Sequence, residues 1–319
     1  MLSHPETQYA SHSAYTDPGR FGPLLDALPA DIPGLTAAVR NTVIHYRHSG
    51  EQLPDEHFLE INNRWVERIL ATDQERHPYA LAEPRAATDR VLGCCRDYTL
   101  LTVAGLRQHG IPARSRIGFA DYFRENYHHD HVVVEYWTGD RWVWVDSQLD
   151  PASDWPFDVQ DMPRPATGAP FATAAEVWTA FRRGEVDPWK YGIGPDLPIG
   201  GPWFIFDYVL IELAHRYREE ILLWDAFGAM TGNFADDVSS EDPRVILADE
   251  IAALLIAADA GSDSAESELS ERFTADDRLN PRGQVICHTP DDRGIFTVDL
   301  TTRKVETVSA VAAVARDAA

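Results

Sequence analysis

The sequence of 319 residues predicts an α+β fold, and three stretches carry that expectation. An apolar-periodic segment runs from Cys94-Cys95 to Gln108-His109-Gly110 and reads as one helix that begins at a cysteine pair. Two strand-like runs, His131 to Trp137 and Arg141 to Asp146, face each other across Thr138-Gly139-Asp140. Helical patterns lie on both sides of this centre, and three short strand patterns close the chain. No internal repeat is visible.

Composition bounds the class before any motif is weighed. Hydrophobic residues make up 44% of the chain and aromatics 10%, enough for a full globular core. The net charge of -23 disfavours a nucleic-acid partner, which wants a basic surface, and by the same sign an anionic membrane. Three cysteines, two of them adjacent, give no disulfide framework. The N-terminus shows neither a basic nor an apolar signal region, and no apolar run approaches the ~18 residues of a membrane span. The expectation is a soluble, cytoplasmic protein.

In chain order, residues 1 to 30 are turn-rich and read as an arm over the surface. Asp31-Ile32-Pro33 opens a helix with Leu35, Val39, Val43 and Tyr46 at helical spacing. His45 and His48 at its end complement the helix dipole. A second helix is expected after Pro54-Asp55, with Phe58, Ile61, Trp65 and Ile69 on one stripe. Gly110 stops the cysteine helix, and Ile111-Pro112-Ala113-Arg114 leads into a strand from Ser115 to Ala120. Gly105, inside that helix, marks a close helix–strand contact. Residues 121 to 131 read as a polar loop.

The hairpin can be solved from its turn. If Gly139-Asp140 is a two-residue loop with glycine first, Thr138 pairs with Arg141 and the register is set along both strands. Val132, Val134, Tyr136, Val143 and Val145 then share one apolar face. His131, Val133, Glu135, Trp137, Trp142, Trp144 and Asp146 share the other. His131 and Asp146 become diagonal neighbours roughly 7–8 Å apart at the backbone, within side-chain reach. A slip of one residue would separate them and scramble the apolar face.

Beyond the hairpin, Thr173-Ala174-Ala175-Glu176 is a capping box opening a helix that stops at Gly184. The pattern from Pro202 to Trp224 predicts the longest helix, and another spans about Arg244 to Ala258. Residues 259 to 277 hold seven acidic side chains and one arginine and read as a solvated linker. Strands follow around 285–288, 294–300 and 304–308, with turns at Asp291-Asp292-Arg293-Gly294 and Thr301-Thr302-Arg303-Lys304.

A thiol on the first turn of a helix sits at the positive end of the macrodipole, which stabilises its thiolate. A cysteine nucleophile also needs a base, and the base a third group to fix its tautomer. The Cys94-Cys95 pair, His131 and Asp146 supply those types, with the last two on one rigid hairpin. The competing readings are a buried small apolar residue for either cysteine and ordinary packing for the tryptophans. His128-His129-Asp130-His131 invites a metal, but strand alternation splits the cluster and no second ligand group has metal-site spacing. No metal and no cofactor are expected. Asp97 fits a helix cap better than a catalytic acid, and Arg96, Arg114 and Arg116 fit structural ion pairs.

Gly93-Cys94-Cys95-Arg96-Asp97-Tyr98, then Leu106 to Arg114, then Asp130-His131 and Trp144-Val145-Asp146, resemble the three blocks of the transglutaminase-like superfamily, microbial branch. The resemblance covers roughly residues 85 to 150. A looser similarity over Glu219 to Asp225 resembles a downstream segment of some bacterial members. What it implies is a papain-like core, a nucleophile helix packed on an antiparallel sheet, with additional helices and a small C-terminal β segment. It selects Cys95, directly before Arg-Asp, as nucleophile over Cys94, with His131 and Asp146 completing a triad. Apart from the resemblance, Trp137, Trp142 and Trp144 on the hairpin's second face either wall a substrate cleft or pack against the 202–224 helix. The family acts through a thioester acyl-enzyme, so the implied substrate is a peptide, amide or acyl thioester, by acyl transfer or amide hydrolysis. An idle module serving as a binding scaffold is the alternative. The domain reading is a transglutaminase-like domain over 1–258, with N-terminal helices at about 31–73, a catalytic core at about 76–150 and a helical extension at about 171–258. The acidic linker at 259–277 and the β segment at 278–319 follow it.

Overall fold

The computed structural model describes residues 5–165, 168–231, 238, 241–290 and 294–308. Its contacts group into two units: Met1–Arg116 with His131–Pro170 and Arg218–Glu220, and Ile117–Asp130 with Phe171–Tyr217 and Ile221–Ala319. Of the expected turns, Asp291 to Arg293 lies outside the described residues.

In the first unit the N-terminal stretch is core rather than a surface arm. Tyr9 and Tyr15 are 1% and 2% exposed, and Leu25 of α1 (Gly22–Asp26) is buried. Large rings placed among turn residues supply apolar area that the unit buries. Helix α2 (Ile32–Thr42) is opened by Asp31, whose carboxylate accepts the Gly34 N–H at 2.9 Å. It ends before Tyr46 because the next residues leave it as β1 (Val43–His45). That strand pairs in parallel with β2 (Val91–Gly93), His45 opposite Gly93. The single helix expected after Pro54 is broken: a 3-10 helix spans Asp55–Asn62 and α3 spans Val66–Arg76. The carbonyls of Asn63 and Arg64 at the break instead accept from the Arg96 guanidinium.

Helix α4 (Cys95–Gln108) is buried from Cys95 through Arg107. A Cβ on Gly105 would lie 2.6 Å from a Leu35 methyl, so the close approach there is between α4 and α2 rather than between helix and strand. Strands β3 (Ala113–Arg124) and β4 (Tyr127–Trp137) run from one unit into the other, and β5 (Trp142–Val145) pairs with β4 inside the first. The register is the one the turn dictates: Val134 faces Val145, Glu135 faces Trp144, and Trp137 faces Trp142. Gly139 takes φ +107 in the turn, and Thr138 N–H donates to Arg141 O at 3.0 Å. The second face of the hairpin is buried too. There Glu135 accepts from Arg114, Arg116 and the Trp144 indole (2.6 Å), so its charge is paired and hydrogen-bonded.

In the second unit the residues expected as a polar loop form a hairpin, with β3 running to Arg124 and β4 starting at Tyr127. Asn126, at φ 60, turns the chain, a conformation asparagine tolerates better than most. Strand β6 (Phe171–Thr173) pairs with β3, and β7 (Tyr191–Gly192) pairs with β4; the sheet order is β5-β4-β3-β6. The Thr173/Glu176 capping box closes reciprocally on α5 (Ala174–Arg182). Helix α6 (Pro202–Arg216) stops short of the predicted Trp224. Arg218 takes φ 66, and residues 218–220 belong to the first unit, where buried Glu220 accepts from Arg107 at 2.8 Å. The longest helix among the described residues is therefore α7 (Pro243–Asp259).

The acidic segment is not a linker. It folds as α8 (Asp263–Ala275), capped by the Ser262 hydroxyl, with Ala265, Leu269 and Phe273 buried at four-residue spacing beneath the charges. The tail strands β9 (Gln284–His288), β10 (Ile295–Asp299) and β11 (Lys304–Thr307) form a separate sheet with β8 (Asp225–Ala226). No helix among the described residues is long and apolar enough to cross a membrane.

Candidate active site

Cys94 is the N-cap of α4, with an extended backbone, and Cys95 is the first helical residue. The Asp97 carboxylate turns back to accept the Cys94 N–H at 2.8 Å. Gly93 makes room for this: a Cβ there would lie 2.7 Å from the Asp97 carboxylate. Arg96 in turn holds Asp97 at 2.9 Å and donates to the Arg64 carbonyl at 2.6 Å and to the Glu220 carbonyl. Burial pushes the Asp97 carboxyl up, and the Arg96 charge and the Cys94 N–H oppose that shift. Both charged residues are thus used to fix the helix start, in a buried knot that leaves the Cys95 N–H at the dipole's positive end.

One turn along α4 from Cys95, the Thr99 hydroxyl donates to the Val132 carbonyl at 2.8 Å, which ties the cysteine-bearing face of the helix to β4 beside His131. His131 Nε2–H donates to Asp146 Oδ2 at 2.7 Å, with the residues 2% and 1% exposed. Asp146 is held by its own N–H on Val159 O at 2.8 Å and by the Gln148 N–H on Oδ1 at 3.0 Å. With Nε2 committed to the carboxylate, Nδ1 is the ring's second polar atom. The predicted histidine and aspartate are therefore brought together, and the predicted cysteine stands at the helix start, 5% exposed.

The tryptophans are placed differently from a simple cleft wall. Trp144 is buried on Glu135 with the Arg164 guanidinium 3.6 Å from its ring centre. Trp142 meets Tyr9 edge-on at 6.0 Å, is covered by Arg114 and touches Trp137. In the histidine cluster, His128 stacks on Tyr191 at 4.3 Å and Asp130 accepts the Tyr208 hydroxyl at 2.5 Å. Among the described residues no group of three or more His, Cys, Asp or Glu side chains gathers as a metal site would require.

A cavity of about 440 Å³ lies against this end of the first unit. Its lining includes His45, Arg90, Tyr98, Gln148, Asp150 and Trp155. His45 reads in the sequence as a helix-end cation, yet burial pushes it down to about 3, helped by His48, His131 and Arg47. Its Nδ1 accepts the N–H groups of Arg47 (3.1 Å) and His48 (3.2 Å), so the neutral ring carries its proton on Nε2. Burial likewise pushes the Tyr98 phenol up. The signal for this wall was the apolar pair Val43-Ile44, which forms a strand with Val91-Leu92 once the chain folds back.

A cysteine at the start of a helix that is hydrogen-bonded to the strand carrying a buried His–Asp pair is arranged as in a cysteine-enzyme-like α+β fold. Residues 46–147, about a third of the chain, match the model of the transglutaminase-like superfamily. No curated protein matches. A solved structure named as a putative cysteine protease from Cytophaga hutchinsonii is similar at 19% identity, over 47% of this chain and 44% of that one, with a TM-score of 0.32. The chain thus spans less than half the length of that protein.

Proposed function

We propose that the protein is a cysteine-dependent acyl-transfer or amide-hydrolysing enzyme with Cys95 as nucleophile, His131 as base and Asp146 as the group that orients it. The observation that carries the reading is the buried 2.7 Å His131–Asp146 bond, one residue from the carbonyl that Thr99 of the cysteine helix grips. In this scheme Cys95 Sγ attacks the substrate carbonyl carbon, and the charge on its oxygen is met by the Cys95 N–H at the helix start. The tetrahedral adduct collapses, the leaving amine or thiol takes its proton from His131, and a thioester remains on Cys95. Water or an amine, deprotonated by His131, then attacks the thioester and restores the thiol. Three cysteines with no disulfide among the described residues fit a reducing compartment such as the cytoplasm. The test is intact-mass analysis after rapid quenching with acyl thioesters and glutamine peptides. An adduct of the acyl mass on Cys95, absent in Cys95→Ala, is expected; adducts confined to Cys94 or Cys287 would overturn the assignment.

A further inference from the structure

The cavity beside the candidate triad is bounded by elements that each lead directly to one of its members. His45 sits opposite Gly93, two residues before Cys95. Tyr98 is on the first turn of α4, and Gln148 is hydrogen-bonded to Asp146. All of these belong to the first unit. Cys95, His131 and Asp146 do not themselves line it, so a substrate held at Cys95 that reached into this space would be read by neighbours of the three.

The lining is rich in unspent donors. Arg90 pairs with no carboxylate among the described residues, and its Nε is buried without a hydrogen-bond partner. The Gln148 amide oxygen is buried without one too. A buried guanidinium nitrogen left without a partner is costly unless something answers it. His45 adds the Nε2–H that its two backbone contacts impose. Against these stand Glu51 and Asp150, both exposed at the cavity's edge. Neither of them forms an ion pair with Arg90 among the described residues.

We propose that this cavity is the subsite for an anionic group, a carboxylate or phosphate, carried by the substrate and gripped by Arg90 with His45 Nε2–H beside it. The Gln148 oxygen accepts an N–H or O–H next to that group. The inference rests on the cysteine-enzyme reading for its place in catalysis, while the anion subsite itself can be tested without turnover. It assigns the substrate a negative charge although the chain as a whole carries -23, which would otherwise repel it.

The probes are iodoacetate and iodoacetamide, which form the same kind of thioether with loss of iodide and differ in charge. The ratio of their rate constants at Cys95, relative to the ratio for a free thiol, reads anion capture. In the wild type it is expected to favour iodoacetate, with saturation, and to fall about tenfold in Arg90→Gln while Arg90→Lys keeps most of it. Succinate and inorganic phosphate, added separately, should compete with iodoacetate, and the stronger competitor names the source. An unchanged ratio in a folded Arg90→Gln protein would overturn the subsite. If neither reagent labels Cys95, it is the enzyme reading that falls. Calorimetric titration of succinate and phosphate into wild type and Arg90→Gln then decides the subsite: binding lost in the variant supports it, and no binding to the wild type ends it.

Discussion

Replacing Asp146 by Asn isolates the one contact on which the assigned chemistry turns. The carboxylate oxygen 2.7 Å from His131 Nε2 would become an amide of the same shape, and the backbone anchor on Val159 O at 2.8 Å would hold the residue in place. Two amide orientations follow. If the amide nitrogen faces Nε2, that nitrogen must accept, and the ring's proton moves to Nδ1, the atom assigned to take the thiol proton. If the amide oxygen faces it, the tautomer survives but the negative charge that would steady an imidazolium is gone. Neither loss is compensated by solvent, since the pair is 2% and 1% exposed. The expected fall in acyl-enzyme formation is about 10³–10⁴, the size seen when such a carboxylate becomes an amide in a related triad, or ~4–5.5 kcal/mol of barrier. Stability should fall by only ~1–3 kcal/mol, because one hydrogen bond weakens and no cavity opens. The assay is rapid-quench intact-mass analysis with an activated acyl ester, alongside urea denaturation. Acylation within threefold of wild type in a folded Asp146→Asn protein would refute the role given to Asp146.

Other consequences follow from buried charge and from packing. Glu135→Ala leaves Arg114 and Arg116 without their shared carboxylate and should cost ~3–5 kcal/mol in urea denaturation, with Glu135→Gln closer to wild type. His45, held near 3 against an ordinary 6.5, is neutral when folded and protonates on unfolding at acid pH. Its contribution is therefore complete above about 6.5 and is lost as pH falls toward 3. His45→Asn should flatten that part of the acid denaturation curve, and a curve of unchanged slope would contradict the burial argument. Gly118→Ala puts a Cβ 2.0 Å from the Ala172 carbonyl oxygen and should part β3 from β6, lowering the thermal midpoint by several degrees.

What could be read from the chain alone was whatever local chemistry determines. The β4–β5 register follows from a Gly-Asp turn and alternating valines, and it alone places His131 beside Asp146. The Thr173 cap and the Cys94/Cys95 helix start were legible for the same reason: each is settled within four residues. Failures came where a distant partner wins. Val43 to His45 leave a helical stripe because Val91 to Gly93 offer a strand. Residues 63–65 break a predicted helix while Arg96 takes their carbonyls. Glu220 leaves the pattern of α6, and its carboxylate pairs with Arg107. The acidic α8 reads as a linker in the sequence because its charges hide the Ala265, Leu269, Phe273 stripe. The cavity donors, His45 and Arg90, have the apolar pair Val43-Ile44 as their one local signal, since the β1–β2 pairing is what brings them to one wall.

The most direct test of the central claim is the rate and site of alkylation by iodoacetamide near neutral pH. All three cysteines are buried and none is in a disulfide, so exposure alone favours none of them. The account predicts one equivalent of label, on Cys95, faster than on a model thiol and slowed strongly in His131→Ala. Labelling of Cys95 at or below the model-thiol rate, indifferent to His131, would contradict it.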